Sequence, residues 1–148
     1  MDLLKAADRS WPLLNRLFGA HAHLYRATNG LIGHHLPGLP PMLLLDHVGA
    51  KSGVKRTTPL LYIRDGDDVV IVASKGGYER HPAWFHNLRA NPETTVQIGG
   101  ERRAVRARVA EPDEHARLWP KAVAAYSDYA RYQQRTDRAI PLLILERR

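Results

Sequence analysis

Cysteine is absent from the 148 residues. Its absence excludes a disulfide scaffold, a thiolate nucleophile, a cysteine-ligated metal and dithiol redox chemistry. Long apolar runs are also missing: residues 42–45 form one of the longest, whereas a membrane-spanning helix needs about 20 residues. The N-terminus lacks the basic, apolar and small-residue regions of a signal peptide. We therefore expect a cytoplasmic protein, in which any electron transfer depends on a bound cofactor.

Acidic residues are few relative to basic ones, with 15 Asp and Glu against 22 Lys and Arg, a net charge of +7 and a pI near 10. Such a surplus favours an anionic partner: nucleic acid, a membrane surface, or a small ligand bearing phosphate or carboxylate groups. Between Asp46 and Asp65 the chain carries four cations and no acid (Lys51, Lys55, Arg56 and Arg64). This compact cluster favours a pocket for a small anionic ligand over a nucleic-acid duplex.

The length and globular composition predict one domain covering residues 1–148. Residues 1–28 are predicted to form an amphipathic helical extension, because apolar residues recur at three- and four-residue steps. Its apolar stripe consists of Leu3, Leu4, Ala7, Trp11, Leu14, Leu17 and Phe18. The stripe is expected to pack on the core or cover a pocket, and peripheral membrane contact is the alternative.

Six short, mostly antiparallel strands are predicted over residues 43–48, 57–64, 69–73, 96–98, 105–109 and 140–145. Helices are predicted from Pro82 to Ala90, with Trp84 and Leu88 on the core face, and from Glu111 to Gln134 with a bend at Pro120. Short strands with tight turns and inserted helices indicate a small β-barrel of the α+β class rather than a βαβ sheet.

The common phosphate-binding, dinucleotide-binding, serine-hydrolase and metalloprotease motifs are all absent from the sequence. Eight histidines are present. However, His34 and His35 lie in a predicted loop, and His81 and His86 are five residues apart, which places them on different faces of a helix. We therefore expect no metal site.

Two segments have the composition of anion-binding loops. In the first, residues 49–53 (GAKSG) precede residues 55–59 (KRTTP), which brings glycine amides, a hydroxyl and three cations to one turn. An ordinary basic hairpin turn would have the same composition. In the second, residues 74–77 (SKGG) follow a buried strand and lead to the start of a helix, a natural anion cradle.

Three tyrosines, Tyr126, Tyr129 and Tyr132, recur at steps of three and so share one face of a helix. Amphipathic core packing is the usual explanation of such a stripe. The same arrangement would also line a flat aromatic substrate and donate a proton to it.

Taken together, the segments resemble the deazaflavin-dependent nitroreductase and quinone reductase family of actinobacteria. The resemblance covers residues from Tyr25 to the C-terminus. It rests on five motifs in the same order: G-x-K-S-G-x-x-R-x-x-P-L from Gly49, D-G at Asp65, V-A-S-K-G-G from Val72, H-P-x-W-x-x-N-L-x-x-N-P from His81, and Y-x-x-Y-x-x-Y-Q-x-x-T-D-R-x-I-P from Tyr126. The sequence differs at Ala50, where arginine is common, and at Asp46-His47-Val48, where small hydroxyl residues are usual.

The resemblance implies a split β-barrel that binds reduced coenzyme F420, an 8-hydroxy-5-deazaflavin with an anionic phosphodiester and oligoglutamate tail. It implies that the phosphate and tail lie near the residues of the first loop, Lys51, Ser52, Gly53, Lys55, Arg56, Thr57, Thr58 and Pro59. The deazaflavin would lie near Ser74, Lys75, Gly76 and Gly77, and the acceptor against Tyr126, Tyr129 and Tyr132.

The expected reaction is hydride transfer from the deazaflavin to an electron-poor acceptor: a quinone, a nitroaromatic or an activated enone. Tyr126 or Tyr129 would supply a hydrogen bond or proton, and Ser74 would orient the acceptor. An FMN-binding split barrel is one alternative, since the fold does not choose the flavin. A basic nucleic-acid-binding module is another, although no exposed aromatic platform is evident and we expect no nucleic-acid partner.

Overall fold

A computed structural model describes residues 16–77 and 79–148. Its main feature is one seven-stranded antiparallel sheet. The strands are β1 (Met42–Val48), β2 (Lys55–Leu61), β3 (Ile63–Asp65), β4 (Asp68–Val72), β5 (Glu93–Ile98), β6 (Glu101–Val109) and β7 (Leu142–Arg147). Their order is β2-β1-β5-β6-β7-β4-β3. Because only Tyr62 separates β2 from β3, one run of chain forms both edges of the sheet, and the sheet curls into a split barrel.

The predicted strand over residues 57–64 is therefore two strands, which accounts for the seventh. Tyr62 is buried, and its N–H donates to the Pro41 carbonyl (3.2 Å) instead of to a neighbouring strand. The chain bends at this point and passes from one edge of the sheet to the other. Otherwise the predicted α+β barrel is confirmed, including the hairpin between β5 and β6.

Strand β1 shows how the sequence directs side chains to the two faces of the barrel wall. Leu43 and Leu45 are fully buried and belong to the main core inside the barrel. Leu44 points the other way and packs against Ala22 and Tyr25 of α1, the helix over residues 16–27 that precedes the barrel. This alternation follows from the two-residue period of a strand. It places His47 on the inner face and Asp46 on the outer face.

Three helices follow β4: α2 (Ala83–Ala90), α3 (Pro112–Ala125) and α4 (Asp128–Gln134), with a short 3₁₀ turn over Lys75–Gly77 before them. Trp84 and Leu88 are buried, as predicted. The single helical stretch predicted from Glu111 to Gln134 is wrong, because the chain forms two helices that divide at Tyr126-Ser127, and Pro120 lies within α3. Pro120 and Ala116 are exposed, so water can solvate the carbonyl left without an amide partner.

The helix that precedes the barrel, α1, covers residues 16–27 in the described part of the chain. Most of the predicted apolar stripe, from Leu3 to Leu14, lies outside the described residues. Leu17 is 56% exposed, whereas Ala22 and Tyr25 are buried, so Leu17 lies off the face of α1 that packs on the barrel. None of the helices in residues 16–77 and 79–148 has the length and apolar character needed to cross a bilayer.

Candidate active site

A cleft of about 1290 Å³ opens between β2 and the end of β4. Helices α2 and α4 form its other sides, and Phe18 and Gly19 of α1 reach its mouth. Eleven of the predicted site residues line it: Lys51, Ser52, Arg56, Thr57, Thr58, Pro59, Ser74, Lys75, Tyr126, Tyr129 and Tyr132. Gly53, Lys55 and Gly77, also predicted, are not among its lining residues. The segments singled out from the sequence thus meet at one place, although they lie between Lys51 and Tyr132 in the chain.

The turn between β1 and β2 uses several of its own amides to hold its shape. Gly49 N–H donates to the Val54 carbonyl (2.9 Å), and Gly53 N–H donates to the Gly49 carbonyl (2.9 Å). Val54 N–H donates to the Ser52 hydroxyl (3.2 Å). Fewer amides are therefore directed at a ligand than the glycine content suggests, and the charged side chains Lys51 and Arg56 are the main features that favour an anion.

A buried polar chain joins α2 to β1 and β2 beside this turn. The amide nitrogen of Ala50 donates to Asn87 Oδ1 (2.9 Å), and Asn87 Nδ2 lies 2.9 Å from His47 Nδ1. His47 Nε2 in turn lies 2.8 Å from the Thr58 hydroxyl. His47 is 5% exposed and Asn87 is 7% exposed. Burial is the main cause that lowers the pKa of His47, and nearby Arg56 lowers it further, so the imidazole is favoured in its neutral form.

The segment after β4 is held from outside the cleft by Arg138. Its guanidinium donates to the carbonyls of Ala73 (3.1 Å) and Ser74 (2.8 Å) and to His81 Nδ1 (3.1 Å). Lys75 adopts a positive φ of 43°, a strained conformation for a residue with a side chain. The contacts from Arg138 fix the peptide groups on either side of Ser74 and so fix where its hydroxyl enters the cleft.

Gly77 explains why the second predicted loop carries glycine. Its φ is +83°, and a Cβ at this position would lie 2.7 Å from the Tyr132 carbonyl oxygen and 2.9 Å from Tyr132 Cα. The backbone of the 3₁₀ turn therefore packs directly on α4. The glycine is needed for contact with the tyrosine helix, and not for direct approach to a ligand.

The three tyrosines form one aromatic cluster on the wall of the cleft. The rings of Tyr126 and Tyr129 meet edge to face with centroids 5.0 Å apart, and the hydroxyls of Tyr126 and Tyr132 are 3.2 Å apart. Burial raises the pKa of Tyr126, and the Tyr132 hydroxyl and the Asp128 carboxylate raise it further. Burial also raises the pKa of Tyr129. Both phenols therefore remain protonated at neutral pH and can donate hydrogen bonds.

His47, Asn87 and Arg138 were not predicted as site residues from the sequence. A two-residue period would have placed His47 on the inner face with Leu43 and Leu45, where a polar side chain needs a partner. The prediction that His81 and His86 lie on different faces of one helix is wrong, because His81 precedes α2. Their rings lie 5.8 Å apart. Trp84, predicted to pack only, belongs to the core and also lines the cleft.

Comparisons with known proteins agree on one family. The family model described as F420H(2)-dependent quinone reductase matches residues 17–147. An F420H(2)-dependent quinone reductase of Mycobacterium tuberculosis is 48% identical over 136 residues, which are 90% of this chain and 91% of the relative.

Two solved structures are also similar to this chain. One is an F420-H2 dependent reductase (FDR-A), with a TM-score of 0.66 and 44% identity over 72% of this chain and 94% of that one. The other is described as a domain-swapped dimer, with a TM-score of 0.69 and 38% identity over 90% of this chain and 98% of that one.

Proposed function

The chain belongs to the F420H(2)-dependent quinone reductase family, and from that premise we propose how its cleft binds the cofactor and the acceptor. It is an oxidoreductase, and its cofactor is the deazaflavin coenzyme F420 and not the alternative, FMN. When bound and reduced, F420 supplies a hydride. The parts left to this protein are binding, orientation, exclusion of water and control of a proton.

The cleft suits F420 in charge and in size. Three of its lining side chains are cationic (Lys51, Arg56 and Lys75), and none of the described lining residues is a carboxylate. Single-ligand pockets usually measure about 300–1,000 Å³. The cleft of about 1290 Å³ is larger than this range, as a large cofactor with an acceptor beside it requires. The observation that supports the proposal most strongly is that cationic and tyrosine-lined walls face the same cleft.

We assign the cationic wall to the cofactor. Lys51 and Arg56 bind the phosphodiester and oligoglutamate tail, and Ser52 and Thr58 supply hydroxyl donors around them. Thr57 also lines the cleft, but its hydroxyl donates to Asp46 Oδ1 (2.6 Å), so it contributes surface and not a donor. Pro59 packs against the cofactor, while Ser74 and Lys75 contact the deazaflavin end. Gly53 and Gly77 act through the shape of the two loops, and Gly76 belongs to the second of them. Lys55 does not line the cleft and acts only through longer-range charge.

We assign the tyrosine wall to the acceptor, for which a quinone is the proposed class. Tyr126, Tyr129 and Tyr132 present aromatic surface to a flat ring. Tyr126 or Tyr129 donates a hydrogen bond to the acceptor oxygen as negative charge develops on it, and Ser74 orients the acceptor. Nitroaromatics and activated enones share the electron-poor, flat character that this wall suits.

The test is a two-electron oxidation assay. Purified protein is mixed with reduced F420 and menadione, and the return of the oxidised F420 absorbance is followed. We expect turnover that needs both protein and menadione. Turnover with NADPH or reduced FMN, and none with reduced F420, would show that the proposal is wrong.

We also propose peripheral membrane contact through α1 and the loop that follows it. Large apolar side chains are exposed there, including Leu24 (47%), Leu31 (88%) and Ile32 (51%). Arg16 lies on the same helix, and a cation near an anionic surface contributes about 1 kcal/mol. Arg26 is ion-paired with Asp46 (2.9 Å) and is not counted. Wild-type protein should co-sediment with anionic vesicles, whereas Leu31→Ser/Ile32→Ser should remain in the supernatant and stay active on menadione. Equal sedimentation of the two would contradict the proposal.

A further inference from the structure

The hydrogen-bonded chain from Ala50 to Thr58 has only one self-consistent set of proton positions. A backbone N–H can only donate, so Ala50 fixes Asn87 Oδ1 as the acceptor (2.9 Å). The NH₂ group of Asn87 then faces His47 Nδ1 (2.9 Å), which must accept. Neutral His47 therefore carries its proton on Nε2 and donates to the Thr58 hydroxyl oxygen (2.8 Å).

The same logic determines what Thr58 offers to the cleft. Its oxygen is occupied as an acceptor of the His47 proton, so its own hydrogen must point elsewhere. Across residues 16–77 and 79–148 the Thr58 hydroxyl bonds no protein acceptor, and it lines the cleft. Arg56 lines the cleft beside it, and in the sheet Arg56 is the register partner of His47.

We propose that His47 is a positioning residue that holds the Thr58 hydroxyl as a hydrogen-bond donor toward an anionic oxygen of bound F420. The proposal rests on the proposed function, in which this wall binds the cofactor. Through Asn87, the same histidine also ties α2 to the turn that carries Lys51. The two features of the cationic wall, a directed hydroxyl and a fixed turn, thus depend on one buried imidazole.

The surroundings of His47 support a fixed neutral tautomer. Asp46, its neighbour on β1, is ion-paired with Arg26 (2.9 Å) on the outer face of the sheet. Arg56 on β2 disfavours a second positive charge. Helix α2 contributes Asn87, which does not titrate, while its His86 contacts His81 and Phe85 and its Arg89 lies over Phe85.

Affinity for oxidised F420, measured by quenching of tryptophan fluorescence, tests the role of Thr58. Thr58→Val keeps the branched shape and deletes the hydroxyl, and it should weaken binding by about tenfold or more, the usual effect of losing a hydrogen bond to a charged group. Thr58→Ser should bind within about threefold of wild type. Equal affinities for Thr58→Val and wild type would overturn the inference, whereas failure of wild type to bind F420 would overturn the proposed function itself.

Variants of His47 test the positioning role. His47→Asn keeps an acceptor for Asn87 but loses the donor to Thr58, and should weaken binding by about three- to tenfold through lost preorganisation. His47→Gln keeps a donor long enough to reach Thr58 and should bind more tightly than His47→Asn. The matched control is His115→Asn, which removes a histidine bond to the Ile140 carbonyl (2.9 Å) outside the cleft and should leave affinity unchanged.

A spectroscopic measurement decides the matter even if a His47 variant fails to fold. Long-range proton–nitrogen correlation of ¹⁵N-histidine-labelled wild-type protein distinguishes the two neutral tautomers of a ring. We expect the His47 proton on Nε2 at neutral pH, with and without F420. A proton on Nδ1 would overturn the inference, because His47 would then clash with the NH₂ group of Asn87.

Discussion

At the scale of single residues, cofactor affinity is expected to depend on Lys51 and Arg56. Replacing both by alanine removes two cations from a cleft that has no carboxylate among its described lining residues. The expected loss of F420 affinity is about 1.5–3 kcal/mol for the pair, as much as for one charged hydrogen bond, because Lys51 and Arg56 are exposed and water screens their charges. Titration of tryptophan fluorescence measures it, and wild-type affinity should also fall as salt rises.

The matched control for that pair is Lys121→Ala. Lys121 carries the same charge but lies on α3 beside Asp65, away from the cleft. If the Lys121 variant loses as much affinity as the double variant, general charge attraction explains binding. If neither variant loses F420 affinity, Lys51 and Arg56 do not contribute to cofactor binding.

Tyr126 and Tyr129 are expected to affect turnover without affecting cofactor affinity. Phenylalanine at either position keeps the ring and removes the hydroxyl, whose raised pKa keeps it protonated at neutral pH. If one of them supplies the proton or hydrogen bond, kcat with menadione should fall by about 10²–10⁴-fold. Full turnover in both single variants and in the pair would show that the tyrosines only line the cleft and that water provides the proton.

At the scale of elements, the contact between the 3₁₀ turn and α4 is expected to position the tyrosine wall. Gly77→Ala introduces a Cβ that would lie 2.7 Å from the Tyr132 carbonyl, at a positive φ. We expect a loss of unfolding free energy of about 1–3 kcal/mol and a higher KM for menadione, measured by urea denaturation and steady-state kinetics. The control Gly38→Ala has a φ of +76° and open space around it, so it should show the backbone cost alone. Equal effects at the two glycines would argue against a positioning contact.

How far the elements follow from the sequence depends on which interactions define them. Most of the strands and α2 were predictable because local periodicity and turn residues define them, as at Asp65-Gly66 and Pro82. The division of residues 57–64 at Tyr62 was not predicted. The break at Tyr126-Ser127 was not predicted, although Ser127 followed by Asp128 is typical of a helix start. The inward direction of His47 follows from a two-residue period, but its partners Asn87 and Thr58 depend on long-range packing of α2, which no local pattern encodes.

At the scale of the whole molecule, one run of chain forms both edges of the split barrel, because β3 follows β2 directly. The chain bends at Tyr62, so β2 lies at one edge of the sheet and β3 at the other. The cleft lies between β2 and the end of β4. Motifs distant in sequence meet there because they lie at the ends of these strands and on the helices that cover the opening. The family resemblance could imply this meeting, whereas composition and spacing alone could suggest only a barrel.

Tyr25 connects α1 to this barrel and is expected to contribute to the stability of the whole domain. It is fully buried, its hydroxyl donates to the carbonyls of Met42 (3.0 Å) and Gln97 (3.3 Å), and it accepts from the Gly99 N–H (2.7 Å). Tyr25→Phe leaves that N–H without its partner, and should lower the free energy of unfolding by about 1–3 kcal/mol. Leu17→Ala on the exposed side of α1 is the control and should change it by less than about 0.5 kcal/mol. Urea denaturation measures the effect. An unchanged midpoint for Tyr25→Phe would mean that the hydroxyl bonds spanning β1 and the β5–β6 turn contribute nothing to the fold.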